Sequence, residues 1–243
     1  MPTAASTSSI SATSARPRPA TTHYAFGLLA RTSGDGSPIT SIVNSGDMSV
    51  ASTNKYGYAY GIYARTEGAD SGIYSIANSG TLVVTGAGTD GARAIGIFAR
   101  TNSSDSPIGI VNSGDITVTA TVETGTYAAS AFGIFAGTYG SNSPIGIENS
   151  GDFTVTAIAT GNDGRAYGIA TRTVGAGGPI GIENPGDLTV TATATDGDAR
   201  AYGIAARADG SGSSIGIENS GDITATAIFT AALTAFLPSP SAP

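Results

Sequence analysis

Short runs of alternating hydrophobic and polar residues fill the chain, each about five to seven residues long, the signature of half-buried strands. Around residue 170 they read Ala166-Tyr-Gly-Ile-Ala-Thr-Arg172, then Ile180-Gly-Ile-Glu-Asn184, then Leu188-Thr-Val-Thr-Ala-Thr193. A Gly-rich loop separates the first two runs, and only Pro185-Gly186-Asp187 separates the second from the third. No stretch carries a helical apolar period with caps at both ends. The pattern predicts three strands per unit and no helix.

The unit repeats. Asn-Ser-Gly-Asp or a close variant begins at Asn44, Asn78, Asn112, Asn149, Asn184 and Asn219, in steps of 34, 34, 37, 35 and 35 residues. The run Ala-aromatic-Gly-Ile-x-Ala-Arg-Thr places its glycine at Gly27, Gly61, Gly96, Gly133, Gly168 and Gly203, in steps of 34, 35, 37, 35 and 35. Two anchors held in one phase six times define a repeat architecture. One unit offers three short apolar faces and no closed core. Stacking closes the core and pairs each strand with its copies above and below. The expected fold is all-β: a single-stranded parallel β-solenoid of about six coils of 34–37 residues, roughly 29 Å long at about 4.8 Å per coil.

Face assignments follow from strict alternation. In the first strand, Tyr60, Ile62 and Ala64 are placed inside and Ala59, Gly61, Tyr63 and Arg65 outside. The same parity puts Phe26, Ile95, Phe132, Tyr167 and Tyr202 in a core stack. Tyr63, Phe98 and Phe135 form an outward apolar strip that ends at Ala170 and Ala205. The six repeat asparagines share inward parity and predict a ladder of amide hydrogen bonds. The glycine of Asn-Ser-Gly-Asp suits the third position of a type II turn, and Pro185 suits its second.

Domain organisation follows the repeat. Residues 1–23, made mostly of Ser, Thr, Ala and Pro, read as a disordered leader or an arbitrary start within a longer chain; 24–237 is the solenoid and 238–243 a disordered tail. The apolar segment 227–237 breaks the repeat and is either a C-terminal cap or a truncation scar. It is too short to span a bilayer, so no membrane insertion is expected of this segment. Uncapped ends would allow end-to-end self-association.

Composition removes several chemistries. Cys and Trp are absent and there is one His; charged residues are 12% and the net charge is -7. Disulfide frameworks, thiolate sites and multi-His zinc sites are thereby excluded. Nucleic acid is not an expected partner of an acidic chain. His23 precedes the first coil and lacks a rigid setting for a catalytic triad. The acids follow the repeat: Asp47, Asp115, Asp152, Asp187 and Asp222 in the turn, and Glu148, Glu183 and Glu218 on an outer strand face. A carboxylate pair for glycan hydrolysis would break the repeat. Gly161-Asn-Asp-Gly164 is a lone lookalike of a calcium loop and reads as an ordinary turn. No catalytic, cofactor or metal residue is assigned.

Two outward arrays are candidate binding surfaces. Arg31, Arg65, Arg100, Arg172 and Arg207 end the first strand, with Gly137 in the fourth coil. At strand spacing they repel unless they splay or pair with loop acids such as Glu67, Asp70, Asp105 and Asp209. The sharper reading is a stripe for acidic glycans. Thr117/Thr119, Thr154/Thr156, Thr189/Thr191 and Thr224/Thr226 form outward Thr-x-Thr pairs on four successive coils. Such a lattice resembles the ice-binding face of some β-solenoid antifreeze proteins. It equally fits Thr as a good strand residue.

The segments Asn112 to Ala120 and Ala59 to Thr66 resemble passenger repeats of bacterial autotransporters, with related exported adhesins close behind. The resemblance covers Tyr24 to about Ala227. It implies a right-handed β-helix displayed outside the outer membrane as a non-enzymatic adhesive scaffold, with a host surface or polysaccharide as ligand. The family's signal peptide and C-terminal β-barrel are missing from this sequence, which points to a fragment or truncated gene. A binding module for ice or crystalline polysaccharide and a carbohydrate-active β-helix enzyme are the alternatives.

Overall fold

The computed structural model describes residues 8–10 and 23–230, with side chains from 24 to 230. It is a parallel β-solenoid of about six coils. The first coil contains β2 (His23–Thr32), β3 (Ile42–Asn44) and the start of β4 (Met48–Thr66). The second runs through the rest of β4, β5 (Ile73–Asn78) and the start of β6 (Leu82–Thr101), and the third through the rest of β6, β7 (Ile108–Asn112) and β8 (Ile116–Val122). The fourth is β9 (Ala129–Thr138), β10 (Ile145–Asn149) and β11 (Phe153–Ala159). The fifth is β12 (Gly164–Thr173), β13 (Ile180–Asn184) and β14 (Leu188–Ala194). The sixth is β15 (Ala199–Ala208), β16 (Ile215–Asn219) and β17 (Ile223–Phe229). Strand β1 (Ser8–Ile10) adds to Met48–Val50, so part of the predicted leader is paired.

Pairing among the described strands is parallel and, apart from shifts at Asn54/Tyr56 and Ile73/Ile76, in register from coil to coil, as at Ile147↔Ile182 and Val155↔Val190. The second strands make a six-stranded sheet. The first and third strands merge into one eleven-stranded sheet because β4 and β6 run without a break from a third strand into the next first strand. The core is narrow and made of Ile, Val, Leu and Ala. Ile62, Ile97, Ile134 and Ile169 stack at 0% exposure, facing Leu82, Ile116, Phe153 and Leu188. Burying each such side chain is worth about 1.5–3 kcal/mol.

Three local expectations change. The turn glycines Gly80, Gly114, Gly151, Gly186 and Gly221 have no positive φ, so the turn is not type II. They are glycines because a Cβ there would sit 2.0–2.2 Å from the carbonyl oxygen of the glycine one coil earlier. Positive φ falls instead in the loop between first and second strands, at Gly36, Asp70, Asp105, Asn142, Gly177 and Gly212. Finally, Ala227, Ile228 and Phe229 keep the repeat, pairing in register with Ala192, Thr193 and Ala194. The remainder of the predicted cap, 231–237, and the tail lie outside the described residues.

Candidate binding face

The first strands change parity at their central glycine. Ala59 is 0% exposed and part of the core, as are Ala94, Ala131 and Ala166, so Tyr60 and its equivalents point away from it. The glycine that follows also faces inward: a Cβ on Gly133 would lie 2.7 Å from Phe153 Cδ2 and 2.6 Å from the Gly168 oxygen. Ile134 is inward as well. Two consecutive inward residues break the alternation, and the aromatic at the next position emerges on the same side as the one before the glycine. The predicted internal stack of Phe26, Tyr60, Ile95, Phe132, Tyr167 and Tyr202 therefore lies on the outer side of the sheet, where Tyr60 (7% exposed) and Ile95 (2%) are covered by their neighbours and Tyr202 (43%) is open. Alternation misses this because it has no room for a glycine whose missing side chain shifts the phase.

Four columns result on one face. The first is Tyr24, Tyr58, Arg93, Ser130, Arg165 and Arg200. The second is Phe26, Tyr60, Ile95, Phe132, Tyr167 and Tyr202, and the third Leu29, Tyr63, Phe98, Phe135, Ala170 and Ala205. The fourth is the predicted arginine row, Arg31, Arg65, Arg100, Gly137, Arg172 and Arg207. Rings of the two central columns touch edge to face, Tyr60 with Tyr63 at 5.3 Å and Phe132 with Phe135 at 5.7 Å between centroids. Within a column they stack, Tyr63 on Phe98 at 4.7 Å and Phe132 on Tyr167 at 4.9 Å. Burial among these rings pushes the Tyr60 hydroxyl above its ordinary value, against a hydrogen bond and charge from Arg93 that pull it down.

The arginines are held in place by shared acids. Glu67 bridges Arg31 and Arg65, both at 2.8 Å, and Asp209 bridges Arg172 at 2.8 Å and Arg207 at 2.6 Å. The hydrogen bond from Arg207, ahead of that from Arg172, holds the Asp209 carboxyl below the usual range. Asp163 is lowered chiefly by Arg165, whose Nη2 lies at 2.6 Å. Arg200 pairs with Asp198. Arg100 lies over the Tyr139 ring at 4.2 Å and donates to Asn102. Among the described residues, Asp70 and Asp105 join no ion pair; they occupy positive-φ turn positions instead. Arg16 and Arg18 lie outside the described residues. Every other one of the 11 Lys and Arg sits on this face or, for Lys55, at its margin.

The other faces differ. The second strands expose Glu148, Glu183 and Glu218 beside bare glycines at 146, 181 and 216, which floor a trough of about 370 Å³. The turn acids are structural: Asp115 Oδ1 accepts the Asp152 N–H, Asp152 Oδ1 that of Asp187, and Asp187 Oδ1 that of Asp222. The third strands align Thr117, Thr154, Thr189 and Thr224 in one column and Thr119, Thr156, Thr191 and Thr226 in the next. Inside the turn, the amide of Asn44 donates to Asn78, Asn78 to Asn112, Asn112 to Asn149, Asn149 to Asn184 and Asn184 to Asn219, each at 2.7 Å. A second ladder was not read from the sequence: backbone N–H groups of Ser37, Ser71 and Ser106 donate to the hydroxyls of Ser71, Ser106 and Ser143. The serines recur in phase, which is the signal that would have revealed it. Among the described residues, no three His, Asp or Glu side chains converge to hold a metal ion; the His23 side chain lies outside them.

The chain matches no protein-family model, no curated protein and no solved structure. Its class rests on geometry alone: a parallel β-solenoid that gathers rings and guanidinium groups on one face.

Proposed function

We propose that the chain is a non-enzymatic scaffold displayed at a cell surface, an adhesive passenger-like segment of an autotransporter, and that the first-strand face makes the contact. The observation that carries the reading is the segregation of side chains. An acidic chain has placed its described cations around two columns of aromatic side chains on a single face, where neither strand pairing nor core packing requires them. Aromatics and arginine are the residues that dominate binding surfaces. A flat repeated face spreads affinity over many weak contacts, which suits adhesion to an extended, repetitive surface.

The test is adhesion of protein-coated beads to host-cell monolayers. Replacing Tyr63, Phe98 and Phe135 by Ser should reduce bead retention at least tenfold while circular dichroism stays β-rich. Retention equal to wild type would remove the first-strand face from the proposal. A second reading rests on the in-register threonine columns of the third strands: a binding module for ice or crystalline polysaccharide. It expects thermal hysteresis, or retention on crystalline cellulose, that is lost on replacing Thr154 and Thr189 by Lys. Absence of both activities in the wild-type protein would dismiss it.

A further inference from the structure

The first-strand face is regular except in one place. Tyr63, Phe98 and Phe135 stack with centroids 4.7 and 5.4 Å apart and planes within 12° and 7°. The next two positions are Ala170 and Ala205, while the neighbouring column continues through Phe132, Tyr167 and Tyr202 at 4.9 Å per step. The face of the Phe135 ring turned toward the fifth coil has therefore lost its aromatic partner. A cleft of about 420 Å³ opens over the two alanines.

Its lining departs from the repeat in a second way. Thr171 stands where the other coils have Ala30, Ala64, Ala99, Ala136 and Ala206. It borders the cleft, but by register its side chain takes the inward direction of the core residues Ala64, Ala99 and Ala136; it is 4% exposed, and its Oγ1 has no hydrogen-bond partner. The buried Nε of Arg165, also at the cleft, is unpartnered as well. A buried polar atom left unpaired costs about 1–3 kcal/mol; Arg65 Nε, Thr66 Oγ1 and Thr173 Oγ1 are unpartnered away from the cleft, whereas Arg165 Nε borders a space that a ligand can fill. Four guanidinium groups rim the space: Arg93, Arg165, Arg172 and Arg207. Arg172 and Arg207 share Asp209, Arg165 has Asp163, and Arg93 has no carboxylate within 4.0 Å among the described residues. The rim carries more positive than negative charge on a protein whose net charge is -7.

We propose that this cleft is a subsite for an anionic pyranose residue of a linear polysaccharide. A pyranose presents a flat face of C–H groups that can continue the stack on Phe135, and hydroxyls for Arg165 Nε. Its carboxylate or sulfate meets the rim arginines, which match such groups bidentately. The flanking columns rise about 4.8 Å per coil, close to the advance of an extended sugar chain per ring, so neighbouring residues can follow the solenoid axis. The proposal rests on the reading of this face as the ligand-contact surface and adds the ligand class.

Titration calorimetry of the full chain with polygalacturonate and with heparin tests it, with neutral dextran and poly(dT) as comparisons. Binding to either acidic polysaccharide supports the proposal, and preference between them assigns the carboxylate or the sulfate. Ala170→Phe places in the cleft the residue that the third and fourth coils already carry there. It should weaken binding at least tenfold with an unchanged melting temperature. Thr171→Ala restores the repeat residue at an inward position and should raise the melting temperature with binding unchanged. No binding to either acidic polysaccharide, equal binding to dextran, tighter binding to poly(dT), or undiminished binding by Ala170→Phe would overturn the proposal. If beads still adhere through the aromatic face while acidic polysaccharides do not bind, this subsite falls and the adhesive reading stands; loss of both removes both.

Discussion

Replacing Asn149 by Ala should remove more stability than almost any other surface-distant polar change in the chain. The Asn149 side chain is 0% exposed. It accepts from Asn112 Nδ2 at 2.7 Å, donates to the Gly151 carbonyl at 2.9 Å, and donates to Asn184 Oδ1 at 2.7 Å. Three hydrogen bonds at about 1 kcal/mol net each give roughly 3 kcal/mol. The stranded Asn112 N–H and Asn184 Oδ1 are themselves buried at 1% exposure, which adds a desolvation penalty and brings the loss to about 4–5 kcal/mol. A domain of ordinary stability, about 5–15 kcal/mol, would lose a large part of it. Asn219→Ala is the control. It breaks the bond from Asn184 and one to Gly221, but at an exposed position where water replaces the partners, so the cost should be about 1 kcal/mol or less. Asn149→Asp should be worse than Ala at neutral pH, since a carboxylate would face the Gly151 and Asn184 oxygens with nothing to donate. Urea unfolding followed by far-ultraviolet circular dichroism reads the midpoint shift at constant slope. If Asn149→Ala lies within 1 kcal/mol of Asn219→Ala, the ladder does not hold the coils together and the reasoning fails.

Other expectations separate the roles of glycine and charge. Gly133→Ala would press its Cβ to 2.6 Å from the Gly168 oxygen, backbone that has nowhere to move, and should cost about 3 kcal/mol; Gly146→Ala meets nothing within 4 Å and should gain about 0.4–1 kcal/mol in the same denaturation assay. Gly212 has a φ of 71°, so Gly212→Ala should cost roughly 1–2 kcal/mol and Gly212→Asn less, because Asn142 already takes the equivalent position at 53°. The depressed carboxyls of Asp163 and Asp209 contribute stability that is present above the ordinary value of about 3.9 and lost as pH falls through their lower folded values. Asp209→Asn should therefore flatten thermal stability against pH below about pH 4 and lower it at neutral pH by the same amount, which is small because the pair is exposed. Tyr60 is raised, so its contribution is lost as pH climbs from about 10 toward its folded value; an absorbance titration should show a late phenol ionisation that Tyr60→Phe abolishes.

The solenoid was legible because its determinants are local and repeated. The six asparagines, the period and the inward Ile and Val of the second and third strands could be read from spacing alone. The arginine row and threonine pairs were legible for the same reason. What escaped depends on how one coil meets the next. Ala59 and Gly61 look like small residues on a wet face, yet both turn inward, and only the contact with the adjacent coil explains why neither carries a longer side chain. The turn glycines were read as conformational and are steric. Arg93, Arg165 and Arg200 join a column that begins with Tyr24 and Tyr58, so no repeated residue type marks it. The cleft over Ala170 was visible only as the end of an aromatic strip, since its depth is set by Phe132 and Phe135 of the fourth coil and Tyr167 of the fifth.

The outward direction of the aromatic columns underlies both the adhesive face and the anionic subsite, and hydroxyl-radical footprinting with mass spectrometry tests it most directly. Tyr202, 43% exposed, should be oxidised at a rate approaching that of Tyr127 at 59%, and the half-buried Phe132 and Tyr167 more slowly but well above Phe153, which at 1% stays protected. Oxidation of Phe132 and Tyr167 as slow as that of Phe153 would put these rings back in the core and contradict the account.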